Sequence, residues 1–233
     1  MAMAAGAAAI WTSDFGAQTA EEAPQESRES HENEEQPRPS SAREEPQAPP
    51  LPSFVYLQTR TEAREVHEAI ETLTKAANDG NVIAELTLGK AYLQGVPTLP
   101  KDPARAHDWF ARAAETGNAN AAYYMGVMSK SGEGTKRDPE EAIRWFEKAA
   151  DAGSAHAMLL LANAYRNGEG VAADPKKALD LYQRAAELDH PAALQALAMA
   201  YQRGELGLSP DEAESRRYTM EAEHALQHAP DLP

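Results

Sequence analysis

The chain has 233 residues, of which 42% are hydrophobic and 6% aromatic, and 37 acidic against 22 basic residues leave it at −15. That charge opposes non-specific binding to nucleic acid and strong direct binding to anionic membranes. The absence of cysteine excludes disulfides, thiolate metal sites and cysteine nucleophiles.

Residues 3–11 form a weak apolar run, mostly alanine, with no Lys or Arg before Arg28. A secretory signal needs a basic start and a small-residue cleavage site. The run therefore reads as a disordered alanine-rich end or as the remnant of an export signal or anchor (residues 1–16). Residues 12–53 are rich in Glu, Pro, Ser and Gln and poor in large apolar side chains, a composition that cannot offset chain entropy. Residues 47–52, QAPPLP, read as an extended spacer. The expectation is a disordered acidic tail over 1–58. An apolar start followed by a Pro/Glu tether favours, by a small margin, an exported or membrane-tethered location over the cytoplasm.

From residue 60 the chain repeats itself with a period of about 36 residues. Segments 80–116, 117–152 and 153–188 align, and a weaker copy fills 189–228. Ala84, Ala121, Ala157 and Ala193 recur, followed four residues later by Leu88, Met125, Leu161 and Leu197. Gly89, Gly126, Ala162 and Ala198 come directly after them. Spacings of three and four mark one helix face, and the small residue admits a close neighbour. Gly95, Gly132, Gly168 and Gly204 then stop the first helix. Asp102-Pro103, Asp138-Pro139 and Asp174-Pro175 open the second, Asp as cap and Pro in the first helical position. Trp109-Phe110, Trp145-Phe146 and Leu181-Tyr182 follow, then paired alanines. Each unit is a helix, a turn and a capped helix, and only stacking of neighbours buries its apolar face.

The ends differ. Residues 60–79 match a second helix alone, as a half repeat. In the last copy, a second helix counted from Pro210 places Arg216 and Arg217 where the other copies carry aromatic or aliphatic residues, as suits a capping repeat. Residues 229–233 read as a disordered end.

The pattern A-x₃-L-G…Y…G-x-G…D-P-x-x-A…W-F-x-x-A-A-x-x-G resembles the Sel-one-like repeat, a relative of the tetratricopeptide repeat, over residues 60–228. Ser129 departs from the tyrosine held by Tyr92, Tyr165 and Tyr201. The resemblance implies an all-α, right-handed α/α superhelix acting as a scaffold or adaptor in protein assembly.

Catalytic constellations are lacking. Residues 131–136, SGEGTK, lack the order of a phosphate loop and fall on the recurring turn. His224 and His228 share a helix face with Glu221, without a fourth ligand in view; a solvated helix is the favoured reading. Trp109 and Trp145 hold repeat positions and read as packing residues. No cofactor is expected, and a hydrolase is disfavoured for want of a clustered acid/base pair.

The resemblance places partner binding on the concave face lined by the first helices. By phase, four rows lie there: Ile83, Asn120, His156 and Ala192; Leu86, Tyr123, Leu159 and Gln195; Lys90, Val127, Asn163 and Met199; Leu93, Lys130, Arg166 and Gln202. Lys90, Lys130 and Arg166 are basic, and no Asp or Glu joins them. A protein or peptide partner, extended and bearing acidic side chains or a free carboxylate, fits this set. Contact with cell-wall glycan or a secretion assembly by an exported chain is the alternative.

Overall fold

The computed structural model describes residues 50–60 and 63–228. Ten helices follow in order: α1 (Phe54–Thr59), α2 (Ala63–Asn78), α3 (Val82–Gln94), α4 (Pro103–Glu115), α5 (Ala119–Ser131), α6 (Pro139–Asp151), α7 (Ala155–Asn167), α8 (Pro175–Ala186), α9 (Pro191–Arg203) and α10 (Glu212–His228). The described residues contain no strand, only an isolated bridge between Val96 and Leu99 in the turn after α3.

Pairing follows the sequence units. The helices α3/α4, α5/α6, α7/α8 and α9/α10 form hairpins, and the second helix of each packs on the first helix of the next. Local chemistry sets both ends of each helix. The side chains of Asn81, Asn118 and Ser154 accept the backbone N–H of Ala84, Ala121 and Ala157, and Asp102, Asp138 and Asp174 cap the second helices in the same way. The hairpin is closed by one recurring backbone bond. Asp102, Asp138, Asp174 and Asp211 donate their N–H to the carbonyls of Tyr92, Ser129, Tyr165 and Tyr201, at 2.8, 2.7, 2.8 and 3.0 Å. The exchange of tyrosine for Ser129 leaves this bond intact, because it uses only the backbone.

Close approach explains the mid-helix glycines. A Cβ placed on Gly89 or Gly126 would fall 2.5 Å from the ring of Phe110 or Phe146. Glycine costs the helix about 1 kcal/mol relative to alanine. That cost admits a fully buried ring against the first-helix backbone, worth roughly 1.5–3 kcal/mol. Tyr182 holds the same repeat position in the third copy, in one buried cluster with Ala162, and is also fully buried.

Two expectations about the ends change. The tail reading covers residues 1–58, and its first 49 residues, with the apolar run at 3–11, lie outside the described residues. Beyond them, the chain is not featureless up to residue 58. Ser53 caps α1, and Leu57 is 0% exposed in a cluster with Leu73, Leu88 and Ala91. The half repeat therefore has a short helix ahead of it, and that helix packs on α3. Apolar Phe54, Tyr56 and Leu57 in an otherwise polar segment are the signal.

In the last copy, Asp211 and not Pro210 sets the register. Its carboxylate accepts the N–H groups of Ala213 and Glu214, as the capping aspartates do elsewhere. Counting from that cap puts Tyr218 at the position of Trp109 and Trp145, and Ala222 at that of Ala113, Ala149 and Ala185. Arg216 and Arg217 fall on the exposed side. A reversed Pro-Asp order hid this register.

Candidate partner-binding face

The four rows of first-helix positions lie where 3.6-residue periodicity puts them, and their accessibility is uniform in one respect. None of the sixteen residues is buried, while Ala84, Leu88, Ala121, Met125, Ala157, Leu161, Ala193 and Leu197 between them all are. Ile83, Asn120, His156 and Ala192 form an exposed row. Tyr123, Val127, Leu159 and Asn163 are half-buried, as is Lys90, whereas Lys130, Arg166, Met199 and Gln202 are exposed.

Contacts knit neighbouring copies across the rows. The Lys90 ammonium sits 5.6 Å from the centroid of the Tyr124 ring, and burial draws its pKa below the usual lysine range. Tyr124 stacks on Phe110 at 4.5 Å and meets Tyr123 edge-on at 5.3 Å. Tyr123 in turn lies 5.8 Å from His156, whose ring stands 4.7 Å from that of His190. Burial pushes the Tyr123 and Tyr124 phenols up, so both stay neutral hydrogen-bonding groups. Further along, Tyr182 donates its hydroxyl to Asn163 Oδ1 at 2.6 Å, and the Arg166 guanidinium lies 6.0 Å from the same ring.

The charge of the face is smaller than the sequence rows imply. Lys130 Nζ pairs with Glu169 at 3.2 Å, and that pairing holds the Glu169 carboxyl below the usual carboxylate range. Glu169 belongs to the turn after α7, so a reading confined to helix phase misses it. Its signal is the recurrence Gly132-Glu133, Gly168-Glu169 and Gly204-Glu205. Lys101 pairs with Glu133 in the same manner, clasping one turn to the next. Lys90 and Arg166 remain as the cations of the face without a carboxylate partner among the described residues.

Tyr124 and His190 also escaped the phase reading. Tyr124 follows Tyr123 directly and turns toward the Phe110 ring. His190 takes the capping position held by Asn81, Asn118 and Ser154, but makes no side-chain capping bond. Elsewhere, the rings of His224 and His228 lie 4.4 Å apart, and Glu221 is engaged by Arg217 at 2.8 Å. No group of three or more His, Asp or Glu able to hold a metal ion occurs among the described residues. No described helix is long and apolar enough to cross a membrane. Trp109 and Trp145 sit half-buried at the edge of the core, with Arg112 4.7 Å from the Trp109 ring and Lys148 4.1 Å from that of Trp145.

A family model for the Sel1 repeat matches residues 82–118, 119–154, 155–190 and 191–219, in phase with the four hairpins. The chain belongs to the Sel1 repeat family. A protective antigen of uropathogenic Escherichia coli displaying an SLR fold is 35% identical with a TM-score of 0.63, the match covering 66% of this chain and 33% of that one. A Sel1 repeat protein from Oxalobacter formigenes is 33% identical with a TM-score of 0.65, covering 69% of this chain and 65% of that one. This chain thus spans a third of the first protein and just under two thirds of the second. No curated protein matches it. Sel1 repeats form right-handed α/α solenoids that mediate protein–protein interaction, and the fold here is of that scaffold kind.

Proposed function

We propose that the solenoid is a non-catalytic scaffold that holds an extended peptide segment of a partner protein along the first-helix face. One observation carries this reading: sixteen phase-related side chains are all accessible, while the residues between them are buried. The exposed members, among them Asn120, His156, Arg166 and Gln202, are the least bound by packing, and they vary from copy to copy. Arg166 and Lys90 suit acidic side chains, since charge-assisted bonds to carboxylates are the stronger kind. Tyr123, Asn120 and His156 offer hydrogen bonds and contact area between them.

The reading is tested on an arrayed peptide library, one half carrying Asp and Glu and the other Lys and Arg. The wild-type chain is expected to retain members of the acidic half at low salt and to lose them as salt rises. The double variant Tyr123→Ala/Arg166→Glu is expected to bind at least about tenfold more weakly, which is about 1.4 kcal/mol. Equal retention of both halves, or unchanged binding by the double variant, would overturn it.

A further inference from the structure

We propose that the cleft between α9 and α10 is a socket for an aromatic side chain carried by the partner peptide. The proposal rests on the scaffold reading above and names one contact of that peptide.

Each of the first three hairpins places a ring at one position, eight residues after the capping aspartate: Phe110, Phe146 and Tyr182. Each ring is buried; Phe110 and Phe146 lie against Gly89 and Gly126, and Tyr182 shares a buried cluster with Ala162. The fourth hairpin keeps the surroundings. Ala198 holds the small position, and Ala222 repeats Ala113, Ala149 and Ala185, both buried. The ring itself is missing. Counted from Asp211, its position is held by Thr219, which is exposed. In its place is a cavity of about 350 Å³ floored by Ala198, Met199 and Ala222 and flanked by Gln195 and Gln202. That volume is at the lower end of the roughly 300–1,000 Å³ of ligand pockets.

The chemistry of the cleft favours an aromatic guest. In the first hairpin the ring is covered by Tyr124 of the next first helix, stacked at 4.5 Å. Gln195, Met199, Gln202 and Thr219 are all exposed, so this cleft is accessible. Met199 is 42% exposed at its floor, and a thioether gains from contact with a ring. Gln195 and Gln202 replace Leu86 and Leu93, which pack beside Phe110. Each amide both donates and accepts, as the backbone of an extended peptide requires. Glu223 at the rim disfavours a guest carboxylate, so the acidic side chains lie toward Arg166. The preferred segment therefore carries an acidic residue as well as its aromatic one.

The test follows the methionine methyl signals of the full chain by NMR during titration with N-acetyl-phenylalanine amide. The Met199 methyl is expected to move upfield and saturate, under the ring current of the guest, while buried Met128 stays put. N-acetyl-leucine amide and N-acetyl-alanine amide should bind at least about tenfold more weakly. Thr219→Phe should shift Met199 upfield without ligand and abolish its response; Thr219→Leu serves if thermal melting shows that variant unfolded. No saturable Met199 response, an equal response in the filled variant, or equal binding of the leucine amide would overturn the socket. None of these results touches the Arg166 and Tyr123 dependence of acidic peptides, so the two readings fail separately.

Discussion

Glu85 is the residue at which this chain departs furthest from its own repeat. The same position holds Ala122, Met158 and Leu194 in the other copies. Its side chain is 5% exposed, and Arg112 Nη2 pairs with it at 3.1 Å. Arg112 also donates to the Ala77 carbonyl at 2.8 Å and lies over Trp109. One guanidinium thus ties the end of α2, the start of α3 and the middle of α4 together. Removing one partner of a buried pair costs more than the pair is worth, because the other charge is left unpaired. Arg112→Ala is expected to lower stability by about 2–3 kcal/mol in urea denaturation, the scale for a hydrogen bond to a charged group. Adding Glu85→Ala, which restores the residue of the second copy, should recover most of that loss. Additive losses would show that the two residues act independently.

At the scale of the helix, the caps repeat so regularly that the exception at α9 stands out. Asp189 takes the positive φ given elsewhere to Gly80, Gly117 and Gly153, with φ 53°, and His190 takes the cap. The imidazole is 9% exposed, and both ring nitrogens lack a hydrogen-bond partner among the described residues. Burial, reinforced by the neighbouring His156, draws its pKa below the ordinary histidine value. The native state therefore resists protonation. The unfolded chain takes up its proton first as pH falls through about 6.5, so the stability present above that pH is lost on acidification. His190→Asn supplies the missing cap, worth about 1 kcal/mol. The variant should melt higher than wild type at neutral pH, and its advantage should grow between about pH 7 and about pH 5. A constant advantage across that range would refute the burial of a neutral imidazole as its source.

At the scale of the molecule, each hairpin contacts only its neighbours, so a local loss stays local. Leu57 tests this. It is fully buried although it belongs to a six-residue helix at the edge of the array. Leu57→Ala is expected to cost about 2–4 kcal/mol, read as lost hydrogen-exchange protection in α1, α2 and α3. Protection in α7 to α10 should change little. A uniform loss would mean that the array unfolds as one unit.

The period of about 36 residues, the small residues opposite rings and the Asp caps were legible because they are local. Each depends on spacing within one helix or on one turn, and copies in register multiply the signal. The first-helix rows followed from the same periodicity, as far as accessibility goes. Glu169 escaped that reading, since its pairing with Lys130 links a turn to the helix of another copy. The α1 segment escaped it for want of a repeat partner, and α10 was misplaced because Pro and Asp exchange their order.

The sequence by itself thus determined an all-helical repeat with accessible first-helix positions, because short-range periodicity and capping dictate helices and their inward faces. Only the tertiary structure decided the remaining charge of that face, the register of the last hairpin and the open cleft beside Met199. Those depend on which side chains meet across copies, which no spacing within one helix records.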